Sequence, residues 1–198
     1  MELFNVYPLY DVTLVKGEGC NVYDDNDAEY LDLYGGHGVI SIGHCHPHYV
    51  EAVKKQVETL GFYSNSVRNP IQEALSKKLG KLSGCEEYSL FLCNSGAEAN
   101  ENALKLASFH TGRSKVVGFS KSFHGRTSAA VAATDNERIN APLNRQHEVE
   151  LLPLNDLDAL EKVLAQKDVA AVIVEGIQGV GGLDEGTTEF FNGLESLC

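Results

Sequence analysis

The sequence predicts an α/β fold, a mostly parallel sheet covered by helices and preceded by a β-rich N-terminal segment. Three observations carry this. Apolar runs of strand length alternate with helical periodicity from residue 89 onward. The run at residues 169–174 is almost wholly apolar, as a strand covered on both faces requires. Short β-prone runs separated by turn formers fill the first 33 residues.

In chain order, residues 12–15, 20–23 and 29–33 read as strands. Gly17-Glu18-Gly19 and Asp24-Asp25-Asn26-Asp27 read as the turns between them, which makes an antiparallel meander. Gly35-Gly36-His37-Gly38 breaks the pattern. Pro47 suits a first helical position, and Val50, Val53, Val57 and Leu60 recur at helical spacing until Gly61 stops the helix. A second helix runs from about residue 71 to 79 and ends near Gly80. Residues 89–93 read as a buried strand. Residues 95–110 read as a helix carrying Ala99, Ala103, Leu106 and Ala107 on one face. Strands follow at 115–119, 148–152 and 169–174, with a helix at 156–165 whose Leu157, Leu160 and Leu164 fall in register. Residues 195–198 read as part of a further helix.

Charge narrows the function classes. Lys and Arg number 16 against 28 Asp and Glu, a net charge of -12, and no basic run occurs. Binding to nucleic acid or to an anionic membrane rests on clustered cations, so neither is expected. An apolar fraction of 43% with 22% charged residues is that of a globular protein. No apolar stretch approaches the ~20 residues of a membrane span. Residues 1–5 lack the basic flank and apolar segment of a signal peptide. Five cysteines, an odd number without C-x-x-C, read as free thiols in a reducing, cytoplasmic setting.

Ligands of parallel sheets sit at the strand carboxyl ends, in the loops that enter helices, which singles out three loops. The first is Asn94-Ser95-Gly96-Ala97-Glu98-Ala99-Asn100. Gly96 and Ala97 allow close approach to first-turn N–H groups, a site for an anion such as phosphate. Ser95-x-x-Glu98 is equally a capping box that would satisfy those donors internally. Neither G-x-x-x-x-G-K-[ST] nor G-x-G-x-x-G is present, which disfavours a P-loop or a dinucleotide fold. The second loop, Ser120 to Thr127, offers Phe123, His124 and Arg126 within four residues. Phe123 could stack on a flat heteroaromatic ring and Arg126 could grip a carboxylate with two parallel hydrogen bonds; a packed Phe beside a surface Arg is the plainer alternative. The third loop, Glu175-Gly176-Ile177-Gln178-Gly179-Val180-Gly181-Gly182, follows the most apolar strand. Glu175 there is a base, a partner for a cationic ring nitrogen, or a salt-bridge acceptor, with the structural role first. His44-Cys45-His46-Pro47-His48 invites a metal, but neighbours entering a helix point apart and no second cluster completes a site, so no metal is expected.

Together these loops resemble the class III, fold type I, pyridoxal-phosphate-dependent aminotransferases, above all the acetylornithine and N-succinylornithine aminotransferases. The likeness runs in order through Gly43-His44-Cys45-His46-Pro47, Asn94 to Glu101, Ala103 to Ala107, Phe123-His124-Gly125-Arg126-Thr127, Val174-Glu175, Ile177-Gln178-Gly179 and Gly181-Gly182, over residues 5 to 198. The resemblance implies that Ser95, Gly96 and Ala97 hold the cofactor phosphate, that Phe123 stacks on the pyridine ring and that His124 beside it also binds the cofactor. It implies further that Glu175 and Gln178 support the ring and that Arg126 binds the substrate α-carboxylate. The amine of an acylornithine would pass by way of pyridoxal 5'-phosphate to 2-oxoglutarate, in arginine biosynthesis, within a homodimer. His37 stands where ornithine δ-aminotransferases present a tyrosine to the substrate, which disfavours that subfamily; 4-aminobutyrate or ornithine aminotransferases and a non-catalytic remnant are the alternatives.

Two departures stand out. Gly176 and Val180 replace the proline and second glutamate of the family's Glu-Pro-Ile-Gln-Gly-Glu-Gly-Gly, the glutamate being a device for handling two substrate shapes. None of the eleven lysines, Lys105, Lys115 and Lys121 included, matches the Schiff-base lysine, so no catalytic residue is expected in these 198 residues. The resemblance divides the chain into an N-terminal segment of the small domain, residues 1–45, and a cofactor-binding large domain from residue 46, incomplete at residue 198.

Overall fold

The computed structural model describes residues 1–4 and 6–198; Asn5, at the end of the N-terminal stretch considered above, lies outside them. Contacts within the chain gather into two units, Met1–Glu87 and Tyr88–Cys198.

In the first unit β1 (Leu14–Glu18), β2 (Asn21–Asp24) and β3 (Glu29–Leu31) form the antiparallel meander, in the order β1-β2-β3. The first turn lies two residues later than Gly17-Glu18-Gly19 suggested. Gly17 pairs with Val22 inside the ladder, and Gly19, at φ +58, makes the turn with Cys20. The left-handed backbone at Gly19 is open to glycine without a Cβ penalty. Residues 35–38 form a single turn in which Gly35, Gly36, His37 and Gly38 all take positive φ. Helix α1 (Pro47–Leu60) starts and stops as its Pro47 and Gly61 indicate. Helix α2 (Pro70–Ser83) is capped by the Asn69 side chain and runs through Gly80 to Gly84, whose φ of 72 closes it. A glycine inside a helix only weakens it; a left-handed residue is what ends it.

The second unit opens on residues 88–95, which join no strand; Leu90, Phe91 and Leu92 are exposed. The buried strand expected at 89–93 is therefore not formed. An apolar run supplies burial potential, but a strand also needs a hydrogen-bonding neighbour. β4 (Lys115–Phe119) is central and paired in parallel on one side with β5 (Val149–Leu152) and on the other with β6 (Val169–Val172). β4 is buried throughout, whereas β6 is mostly half-buried, so the most apolar run lies at an edge and not at the centre.

Helices α3 (Gly96–Thr111), α4 (Ser128–Ala132), α5 (Leu157–Leu164) and α6 (Thr188–Leu197) complete the unit, with a short hairpin of β7 (Ile177–Gln178) and β8 (Asp184–Glu185). Val117, Phe119 and Leu152 pack with Leu160 and Val163 of α5 and Phe190 of α6, the rings of Phe119 and Phe190 meeting edge to face at 5.4 Å. Helix α3 lies against β6 and α4 against α3, and Leu104 and Val116 are buried. Leu104, and not Leu106, is the buried leucine of α3; Leu106 is 70% exposed. The inward stripe runs Ala97, Asn100, Glu101 and Leu104, and two polar residues on it conceal the apolar period from a reading of hydrophobicity alone.

Candidate active site

The three loops singled out in the sequence meet in the second unit. In the first, Ser95 caps α3, its Oγ accepting the Glu98 N–H at 3.1 Å. The Glu98 carboxylate turns back past the cap and accepts the Asn94 N–H at 2.8 Å. The cap and the anion reading are therefore compatible. Glu98 N–H is taken, whereas the N–H groups of Gly96 and Ala97 have no acceptor among the described residues. A Cβ added to Gly96 would meet nothing within 4 Å, so the backbone is open on that side of Gly96. The helix dipole favours a negative charge at this end.

The second loop is folded tightly by backbone contacts. Lys121 takes φ +63 and its N–H donates to Asp135 Oδ2 at 2.6 Å. Ser122 Oγ donates to the Ala133 carbonyl, and the His124 N–H to Thr134 Oγ1 at 2.9 Å. His124 is buried, and its Nε2 has no hydrogen-bond partner among the described residues. Burial, opposed by the nearby negative charge of Glu175, lowers the imidazole pKa and keeps the ring neutral. Phe123 is 37% exposed, and Arg126 is exposed one residue before the Thr127 N-cap of α4.

The third loop buttresses the second. Glu175 Oε1 accepts the Phe123 N–H at 2.9 Å while Oε2 accepts the Gly179 N–H at 3.2 Å. Gln178 is completely buried and donates to the Ser120 carbonyl at 2.8 Å. Gly181 has room for no side chain, since an added Cβ would lie 2.5 Å from the Lys121 carbonyl oxygen.

First and second loops touch directly. A Cβ on Gly125, which has φ +135, would come within 2.6 Å of Ala97 Cβ, so glycine is what allows the approach. Asn100 Nδ2 donates to the His124 carbonyl at 2.8 Å, and Glu101 accepts from the N–H groups of Ala129 and Ala130 and from the Thr127 hydroxyl. Sequence reasoning passed over Asn100 and Glu101. Their signal was present: polar residues three and four positions after Ala97, on the helix stripe that also carries Leu104.

Ser95, Gly96, Ala97, Phe123, Arg126, Glu175 and Gln178 thus belong to one cluster of loops, with His124 inside it. His37 belongs to the first unit, in the left-handed turn, where its ring lies 4.9 Å from that of Tyr34. That turn is held by Asp32, whose Oδ1 accepts the N–H groups of Tyr34 and Gly35 and whose Oδ2 lies 2.7 Å from His44 Nε2. No group of three or more His, Cys, Asp or Glu residues is placed to hold a metal among the described residues. No helix among them is long and apolar enough to cross a membrane. Lys121, on the second loop, pairs with Asp184 at 2.7 Å, and the buried Lys115 with Glu150 at 2.9 Å.

Comparison with known proteins gives consistent likenesses. The family model Aminotransferase class-III matches residues 5–198. An acetylornithine aminotransferase of Bacillus amyloliquefaciens is 40% identical over 99% of the chain, which spans 85% of that relative. One of Bacillus subtilis (strain 168) is also 40% identical, and the chain spans 51% of it. Among solved structures, the ornithine aminotransferase of Toxoplasma gondii ME49 superposes with a TM-score of 0.89 at 30% identity, over 99% of this chain and 48% of the other.

Proposed function

Because the chain belongs to the class-III aminotransferases, a pyridoxal-phosphate-dependent family of fold type I, we propose that it takes part in transamination of N-acetyl- or N-succinylornithine with 2-oxoglutarate, in arginine biosynthesis. The observation that carries the reading is the convergence of the three loops on the N-terminus of α3. The residues fit the cofactor. Two N–H groups without an acceptor among the described residues, at a glycine whose Cβ position is open, suit a phosphate, and the exposed Phe123 suits a flat ring.

In this reading Gly96 and Ala97 donate to the phosphate, with Ser95 shaping the turn. Phe123 bears on the ring, held from behind by Glu175 through its N–H. His124 stays neutral and buried, filling the loop from within. Gln178 holds the Ser120 carbonyl and with it the entry to the loop. Bound pyridoxal phosphate supplies the electron sink that labilises the amine-bearing carbon. Arg126 takes the α-carboxylate of the amino acid and leaves the distal amine free to react. His37 supports an acylornithine over ornithine as the amine donor. A lysine to hold the cofactor covalently has no candidate on the three loops: Lys121 is their one lysine, and it is paired with Asp184. The 198-residue chain on its own is accordingly proposed to bind cofactor without turning over.

The chain spans about half the length of most of the curated relatives it matches, 51% of the Bacillus subtilis protein for example. A division near residue 45 into small-domain segment and cofactor domain, a homodimeric state and a cytoplasmic location belong to the same proposal. The net charge of -12 and five unpaired cysteines support the last of these.

The test is amine-donor kinetics on the full-length protein. Initial rates against 2-oxoglutarate are compared for N-acetylornithine, N-succinylornithine, ornithine and 4-aminobutyrate. Preference for an acylornithine is expected; preference for free ornithine or 4-aminobutyrate overturns the assignment. Arg126→Lys replaces a planar fork by a point charge, and kcat/KM for the acylornithine should fall roughly tenfold or more.

A further inference from the structure

Two side chains on α3 reach away from the helix toward the second loop without entering any role assigned above. Asn100 holds the His124 carbonyl at 2.8 Å. Glu101 receives the Ala129 N–H at 2.9 Å, the Ala130 N–H at 3.1 Å and the Thr127 hydroxyl at 2.8 Å. Burial alone would raise the Glu101 carboxyl, but the N–H groups of Ala129 and Ala130 and the Thr127 hydroxyl bring it below the usual carboxylate value, so it acts as an anion at neutral pH.

The spacing gives these bonds a consequence beyond capping a five-residue helix. Asn100 and Glu101 lie one helical turn beyond Gly96 and Ala97, so a single rigid helix carries the N–H groups of the anion site and, ~5 Å further along, both anchors of the second loop. The anchors bracket Arg126. His124 is held two residues before it, and Thr127 and Ala129 one and three residues after it. Gly125 lies flush against Ala97 between them. Arg126 therefore sits on a span clamped at both ends to the helix that would hold the phosphate.

We propose that Glu101 is a positioning residue for Arg126, fixing its distance from the N–H groups of Gly96 and Ala97 so that phosphate and substrate carboxylate are gripped at a set separation. The inference rests on the cofactor and carboxylate roles proposed above. Removing the charged acceptor from Glu101 frees residues 127–130 and leaves the first turn of α3 unchanged. Ligands that bridge the two sites then suffer, and ligands that use one site do not.

The experiment compares two probes on the full chain. Pyridoxamine phosphate engages the phosphate site and ring platform. Phosphopyridoxyl-N-acetylornithine, the stable reduced adduct of cofactor and amino acid, engages these and Arg126 together. Dissociation constants come from pyridine fluorescence, for wild type, Glu101→Gln and, as a control of general destabilisation, Leu104→Ala at the buried position of the same helix. Glu101→Gln should weaken the adduct about tenfold or more, as losing a charged hydrogen-bond acceptor implies, with pyridoxamine phosphate within threefold. Leu104→Ala should lower the melting temperature and leave the ratio of the two constants as in wild type. Equal weakening of both probes by Glu101→Gln, or no weakening, overturns the proposal. If Glu101→Gln does not fold, Thr127→Val, which keeps the Glu101 carboxylate and removes the hydroxyl that it holds beside Arg126, decides by the same ratio. Wild type that binds neither probe refutes the cofactor reading itself, and wild type that binds both equally refutes the role of Arg126. Each of these failures shows before any variant is compared.

Discussion

Gly125→Ala tests the closeness of the first and second loops most directly. The added methyl would lie 2.6 Å from Ala97 Cβ, 3.0 Å from Ala97 Cα and 3.2 Å from Ala130 Cβ. Ordinary carbon contacts are ~3.5–4.0 Å, so the loop or α3 must yield by about 1 Å. Backbone atoms are involved on both sides, and no side-chain rotamer can relieve the clash. The residue also has φ +135, a conformation nearly closed to alanine. Backbone strain of this kind costs about 1–3 kcal/mol and overpacking a further 1–3 kcal/mol, together about 2–6 kcal/mol. In a protein of this size a thermal melt should drop by roughly 4 °C or more. Affinity for pyridoxal phosphate should fall with it, because Phe123, the proposed ring platform, moves off the proposed phosphate site at Gly96 and Ala97. Gly61→Ala is the counterpart. Its φ is -73 and its Cβ meets nothing within 4 Å, so the melt should hold or rise slightly. A Gly125→Ala protein with wild-type melt and wild-type cofactor affinity would refute the inferred contact.

Ser95→Ala removes the acceptor of the Glu98 N–H and should cost about 1 kcal/mol in urea unfolding, with weaker pyridoxal-phosphate binding. Leu160→Ala empties a fully buried site between α5 and the sheet and should cost about 2–5 kcal/mol by denaturant titration. The Asp32 carboxyl is held below the usual carboxylate range, first by His44 and then by the N–H groups of Gly35 and Tyr34. A depressed folded value means that its contribution is complete above the unfolded pKa and lost as pH falls through the folded one. Amide protection factors across residues 34–39, taken against the intrinsic rate at each pH, should fall in that acid window, and Asp32→Asn should abolish this pH dependence; protection that is flat with pH in wild type would speak against the clamp.

Much of the fold could be read from residue order. The limits of α1 followed from Pro47 and Gly61, and the three parallel strands from their apolar runs. These are local properties, expressed within a few residues of the amino acids that cause them. Errors arose where the deciding contact was distant. Residues 89–93 have the composition of a strand and no neighbour to pair with among the described residues, and the burial of β4 over β6 reflects position in the sheet. Composition alone cannot supply either fact. The site divides in the same way. Gly96, Phe123, Arg126 and Glu175 were conspicuous as residue types at strand ends. Asn100 and Glu101 were not, because their meaning lies in carbonyl and N–H groups more than twenty residues away.

The sequence by itself determined which groups are available: small residues before a helix, an aromatic, a guanidinium and a carboxylate, each at the end of a strand. Only the tertiary structure decided how they act together. The Ser95 cap consumes one N–H donor and spares two, Glu175 spends its carboxylate on the backbone of Phe123, and α3 grips the loop that bears Arg126. Residue identity is a property of the chain. The satisfaction of a hydrogen bond depends on what packing brings within 3 Å, and here packing joins segments that the chain separates by 24 to 52 residues.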